Sequence, residues 1–141
     1  MYINAENDTW INTAIDIWQS SNIELNEGAS TEMISYVEDA IGFKFPESFK
    51  KLYNRVNGFD NWTASMVTIR PLHRILEEAQ RYPNFIGFSD YCISLAVYGF
   101  QKDSTGIYKH YDSEVIGSPE KIAESFEEAI FLINANSILL F

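Results

Sequence analysis

A few side chains in this chain could do chemistry: Cys92, His73, His110, the pair Glu124 and Glu128, and the run from Asp103 to His110. A cysteine becomes a nucleophile when a neighbouring base holds it as the thiolate. Cys92 lies in "YCISLAVYGF" (91–100), where Ile93, Leu95 and Val97 alternate as on a strand. A buried, inert thiol is the expectation there. His73 stands at a strand-to-helix junction and His110 on a strand beside Lys109. With no cysteine pairs, two unrelated histidines make no zinc pattern. Glu124 and Glu128 are four apart and share a helical face, where carboxylates could pass a proton or hold a cation. The same spacing describes the solvated side of an amphipathic helix, which is the simpler expectation. Asp103, Ser104 and His110 fall in a turn and strand, a spacing that does not assemble a triad. The glycines of "GFD" and "GFSD" are single and cannot cradle a phosphate. No catalytic residue, cofactor or metal is expected.

The elements that would position these residues follow from periodicity. "NDTWINTAIDIWQSS" (7–21) places Trp10, Ile11, Ala14, Ile15 and Trp18 on one helical stripe. "STEMISYVEDAIG" (30–42) is a second helix, capped by Ser30 or Thr31 and stopped by Gly42, with Met33, Ile34, Val37, Ala40 and Ile41 inward. In "FPESFKKLYNRVNGFDNW" (45–62) a third helix starts at Pro46 and ends at Asn57-Gly58. Its buried face carries Phe49, Leu52, Tyr53 and Val56. The period then changes to two. "ASMVTIRPL" (64–72) is a strand and 73–82 a short helix. Residues 84–90 and 91–100 form a strand pair with a short Ser-Asp turn, and 107–112 is a further strand. A last helix is expected over 118–136, capped by Ser118, with Ile122, Phe126, Ile130 and Ile133 inward. The tail "SILLF" (137–141) is expected to dock on the core. Helices, then an antiparallel meander, then a helix make an α+β fold in a single domain spanning 1–141.

Composition narrows the partners. The 141 residues include 20 acids and 10 bases, for a net charge of −10. Nucleic acid and anionic membranes would be repelled, while basic proteins would be attracted. The charge is uneven: residues 1–43 carry eight acids and no Lys or Arg, 44–81 sum to +3, and 82–141 to −5. One cysteine excludes an internal disulfide and suits a reducing cytoplasm. The opening residues "MYINAENDTW" have neither the charge nor the apolar run of a secretory signal.

"EDAIG" followed by "FKFPESFKKLYNRVNGFD" (43–60) resembles the motif of the SUKH superfamily, also called Smi/Knr-like. "IGFSDYCISLAV" (86–97) and "IAESFEEAIFLI" (122–133) are similar, in order, to that family's strand pair and closing helix. The resemblance covers about residues 30–135. Asn57-Gly58-Phe59 departs from the Asn-Gly-Gly of many members, and the Ser-Asp turn is shorter than the loop common among relatives. The resemblance implies a twisted antiparallel sheet of about four to six strands flanked by helices. It also implies a non-enzymatic role: bacterial members are mostly immunity proteins that neutralise a cognate toxin, and eukaryotic relatives include regulators of cell-wall assembly. The expected partner is thus a basic toxin domain, with a nuclease as one type. The alternative is a scaffold that binds an endogenous protein or pairs with a second copy. Loop position and residue type nominate Phe59, Asp60, Trp62, Asp90, Tyr91, Asp103 and Tyr108 as partner contacts.

Overall fold

A computed structural model describes residues 8–60, 66–82, 84–91, 96–111 and 119–135. Among the described residues three helices come first: α1 (Thr9–Ser20), α2 (Thr31–Ile41) and α3 (Glu47–Arg55). Then follow β1 (Val67–Ile69), α4 (Leu72–Ala79), β2 (Phe85–Tyr91), β3 (Ala96–Gln101), β4 (Ile107–Tyr111), β5 (Glu120–Ala123) and α5 (Phe126–Asn134). The five described strands form one open antiparallel sheet in chain order. The α+β class and strand number agree with the sequence expectation.

Helix α3 explains how the layers join. Phe45, Phe49 and Tyr53 recur every four residues, so their rings stack along one line, with centroids 3.9 and 4.1 Å apart. Phe126 from α5 and Phe88 and Phe100 from the sheet close around this column. The ring of Phe49 is wholly buried. Tyr53 ends the column, and its hydroxyl donates to the Arg70 carbonyl at 2.7 Å.

Glu38 accounts for the acidic residue within "EDAIG". Its carboxylate is buried, accepts from the Phe45 N–H at 2.8 Å, and lies 3.6 Å from Lys50 and 3.8 Å from Lys44. It therefore fixes the short connection from α2 to α3. The inward face of α2 is Ile34, Val37, Glu38 and Ile41, whereas Met33 and Ala40, expected inward, are exposed. Recruiting Glu38 to the buried stripe turns Met33 outward.

Asn57-Gly58 does not cap α3 in the expected way. The helix stops at Arg55 and Val56 is already extended, bridging to Glu27. Gly58 instead permits a close crossing. It has φ +66°, and a Cβ there would lie 2.3 Å from the Ile69 carbonyl oxygen. Asn57 reaches across to α4, where its Oδ1 accepts from the Leu72 N–H at 2.9 Å. That bond satisfies one of the first amides of α4, which Pro71 as N-cap cannot serve with a side chain.

Two expected boundaries move. The Ser-Asp turn is not a turn: β2 runs through Ser89 and Asp90, both buried, to Tyr91. A register shift between Gly87 and Ser89 leaves Phe88 as the extra, core-filling residue. The helix expected over 118–136 is a strand followed by a helix. Ser125 caps α5 by accepting from the Glu128 N–H at 3.1 Å, and Glu128 accepts from the Glu124 N–H at 2.8 Å. This reciprocal arrangement resembles a capping box and sets the helix start there. Ile122 consequently sits on β5, and Ser118 and 137–141 lie outside the described residues.

Candidate protein-binding surface

The structure distributes the nominated contacts between interior and surface. Phe59 is 1% exposed and packs edge-on to Trp18 at 5.1 Å. Its backbone pairs with Ile69 beside β1, which draws the ring inward. Phe59 is therefore a core residue, not an outward anchor. Asp90 is likewise inside, because β1 and α4 bring cations over it. Arg70 Nε and Nη2 each lie 3.1 Å from Asp90 Oδ2, Arg74 Nη2 lies 3.6 Å away, and Thr68 Oγ1 donates to Oδ1 at 2.5 Å. A carboxylate buried in this way is held by its ion partners and braces the sheet edge. Gly87 makes room for Val97 and Arg70, since a Cβ there would come within 2.6 Å of Val97 Cγ1 and 2.9 Å of Arg70 Nη1.

The remaining nominees do not converge. Asp60 is exposed, and Tyr91 is half-buried at the end of β2. Asp103 is exposed in the connection after β3, at the other end of that strand, near half-buried Tyr108, whose hydroxyl donates to the Thr105 carbonyl at 3.0 Å. Trp62 and Cys92 lie outside the described residues.

The catalytic candidates stay apart as well. His73 is exposed, and His110 packs its ring 5.4 Å from Phe85 and 6.0 Å from Tyr82. Between Arg70, Tyr82, Gly87 and His110 there is space of only about 10 Å³, room for one water. Glu128 is engaged in capping α5. Among the described residues no group of three His, Cys, Asp or Glu side chains could hold a metal ion. No helix among them is long and apolar enough to cross a membrane.

Two phenols have shifted titration. Burial raises the Tyr53 hydroxyl well above its ordinary range, against the opposing pull of Arg70. Tyr98 is pushed up to about 12 by burial and then by Tyr91 and Tyr111 nearby. Its hydroxyl is buried with no hydrogen-bond partner among the described residues.

A concave surface that sequence reasoning missed lies between α1 and α5. Trp10, Thr13 and Ile17 form one wall, and Ile130, Phe131 and Asn134 the other, around a groove of about 440 Å³. Phe131 is 69% exposed and Ile17 38%, although both sit on helices whose opposite faces enter the core. The signal was available: Ile17 and Phe131 fall off the inward stripes of their own helices. What the sequence could not supply was that α1 and α5 are neighbours.

Comparison with curated proteins finds no match. The sequence pattern of the SMI1 / KNR4 family (SUKH-1) matches residues 28–131, from the connection before α2 to the middle of α5. Those residues contain Glu38, the aromatic column, the Asn57-Gly58 crossing and all five strands, so the chain belongs to the SMI1 / KNR4 family (SUKH-1).

Proposed function

We propose that this chain is a non-enzymatic immunity protein that neutralises a cognate bacterial toxin by direct binding. Membership of the SUKH-1 family carries the proposal. The net charge of −10 supports a basic partner, such as a nuclease domain whose cationic surface grips nucleic acid. In this reading the acids steer the encounter, while exposed apolar side chains supply most of the binding energy. Neutralisation then consists of covering the toxin's active surface.

The test is co-expression with the toxin encoded beside it in the genome. A soluble complex and restored growth are expected. If the toxin remains lethal and no complex can be isolated, the proposal fails. Recovery of a housekeeping protein instead would favour the adaptor role.

A further inference from the structure

We infer that the groove between α1 and α5 seats a cationic amphipathic helix of the protein partner, an inference that rests on the protein-binding reading above. The two helices that form the groove run side by side in the same direction. Trp10 meets Phe126 near one end, with ring centroids 6.2 Å apart. Trp18 Nε1 donates to Asn134 Oδ1 at 2.8 Å near the other. Between these contacts lie about two helical turns, or roughly 12 Å. That length suits a helix presenting anchors at i, i+3 or i+4, and i+7.

The floor is rigid, since Ala14 and Ile130 belong to the packed core. The raised edges are the exposed Ile17 and Phe131. An apolar floor of about 440 Å³ accommodates two or three large side chains from one helix face.

Charge selects which helix. Across Thr9–Ser20 and Phe126–Asn134 the only charged residues are Asp16, Glu127 and Glu128, all exposed acids. Of the three, Glu127 lines the groove, so a lysine or arginine flanking an apolar stripe would face its carboxylate. An acidic helix would be repelled, as would an anionic lipid surface. Two copies meeting through this face would oppose like charges. The chain's own residues 136–141 carry no cation and would leave Glu127 unmatched.

The probe is a labelled 14-residue leucine–lysine peptide with leucines at helical i, i+3, i+4 and i+7 spacing, titrated into the full-length protein by fluorescence anisotropy. A leucine–glutamate peptide of the same pattern is the counterpart. The lysine peptide should bind and the glutamate peptide should not. The double variant Ile17→Asp with Phe131→Asp should weaken binding at least tenfold. That direction is diagnostic, because two added negative charges would tighten a merely diffuse attraction. Equal or tighter binding by the double variant overturns the inference. So does binding that appears only after residues 136–141 are removed, which would give the groove to the chain's own tail. A dimer in sedimentation that Phe131→Asp dissolves would give it to a second copy. Should the double variant unfold, Asp16→Lys with Glu127→Lys provides the same test at exposed positions and should weaken binding at least threefold; unchanged binding again overturns it. The two proposals fail separately: a toxin that binds the wild type and the groove variants equally removes the groove alone, whereas a toxin that ignores the wild type removes the immunity role and leaves the peptide result to stand.

Discussion

Asp90 shows what a single position hides from sequence. In "GFSDYC" the Ser-Asp pair has turn chemistry, and nothing local reveals that Arg70 and Arg74 arrive from twenty and sixteen residues upstream. The alternation of Thr68 and Arg70 was legible; that their face would be buried against a carboxylate was not. Asp90→Ala should lower unfolding free energy by about 3–5 kcal/mol, because it strips a buried guanidinium of a principal counter-charge. Chemical denaturation would measure it, and a loss below 1 kcal/mol would contradict the bracing role. Tyr98 is a second such position. Its hydroxyl is buried without a partner among the described residues, so Tyr98→Phe should stabilise the fold at pH 7 by about 1 kcal/mol. The sign with pH follows from its raised pKa of about 12, against an ordinary 10. Between those values the folded protein keeps a proton the unfolded chain has lost, so stability falls as pH rises above 10 and through 12. Tyr53, also raised, adds to that fall. Denaturation midpoints at pH 9 and 11 should show a smaller decline for Tyr98→Phe than for the wild type.

Elements were read best where one periodicity acted alone. Helices α1 and α3 bury the expected stripe because no buried polar group competes for it, apart from Trp10, which stays half-exposed at the groove. The end of the chain was read less well. Pro119 after a serine imitates a helix start, and Ile122, Phe126, Ile130 and Ile133 continue the apolar spacing. The decisive local signal was Ser125-x-x-Glu128, seven residues after Ser118, which marks a start that pairing of β5 with β4 then enforces. Ser125→Ala should cost about 1 kcal/mol, and Ser125→Asp should restore most of it. Thermal melts of the two variants would check this; equal melting temperatures would mean that strand pairing alone sets the boundary.

At the scale of the whole molecule, charge and order were legible while surfaces were not. The order of motifs along the chain pointed to the family, because each motif marks a joint that the fold needs: Glu38 below α3, Asn57 above α4, Ser125 before α5. Partner contacts cannot be found that way, since the groove is built by segments more than a hundred residues apart. With a net charge of −10, association with a basic partner should slow at least tenfold between about 50 and 500 mM salt, with little change in dissociation. Stopped-flow mixing measures both rates, and a salt-independent association rate would count against a basic partner.

The crossing at Asn57-Gly58 has a consequence for how the molecule comes apart. Asn26 donates its side-chain amide to the Asn57 carbonyl and its backbone N–H to the Gly58 carbonyl, Phe59 pairs with Ile69, and Asn57 holds the start of α4. Three segments distant in sequence, around residues 26, 57–59 and 69–72, thus share one knot of hydrogen bonds. Amide exchange of the 26–29 connection, β1 and the first turn of α4 should therefore show one common opening free energy, which hydrogen-exchange measurements would check.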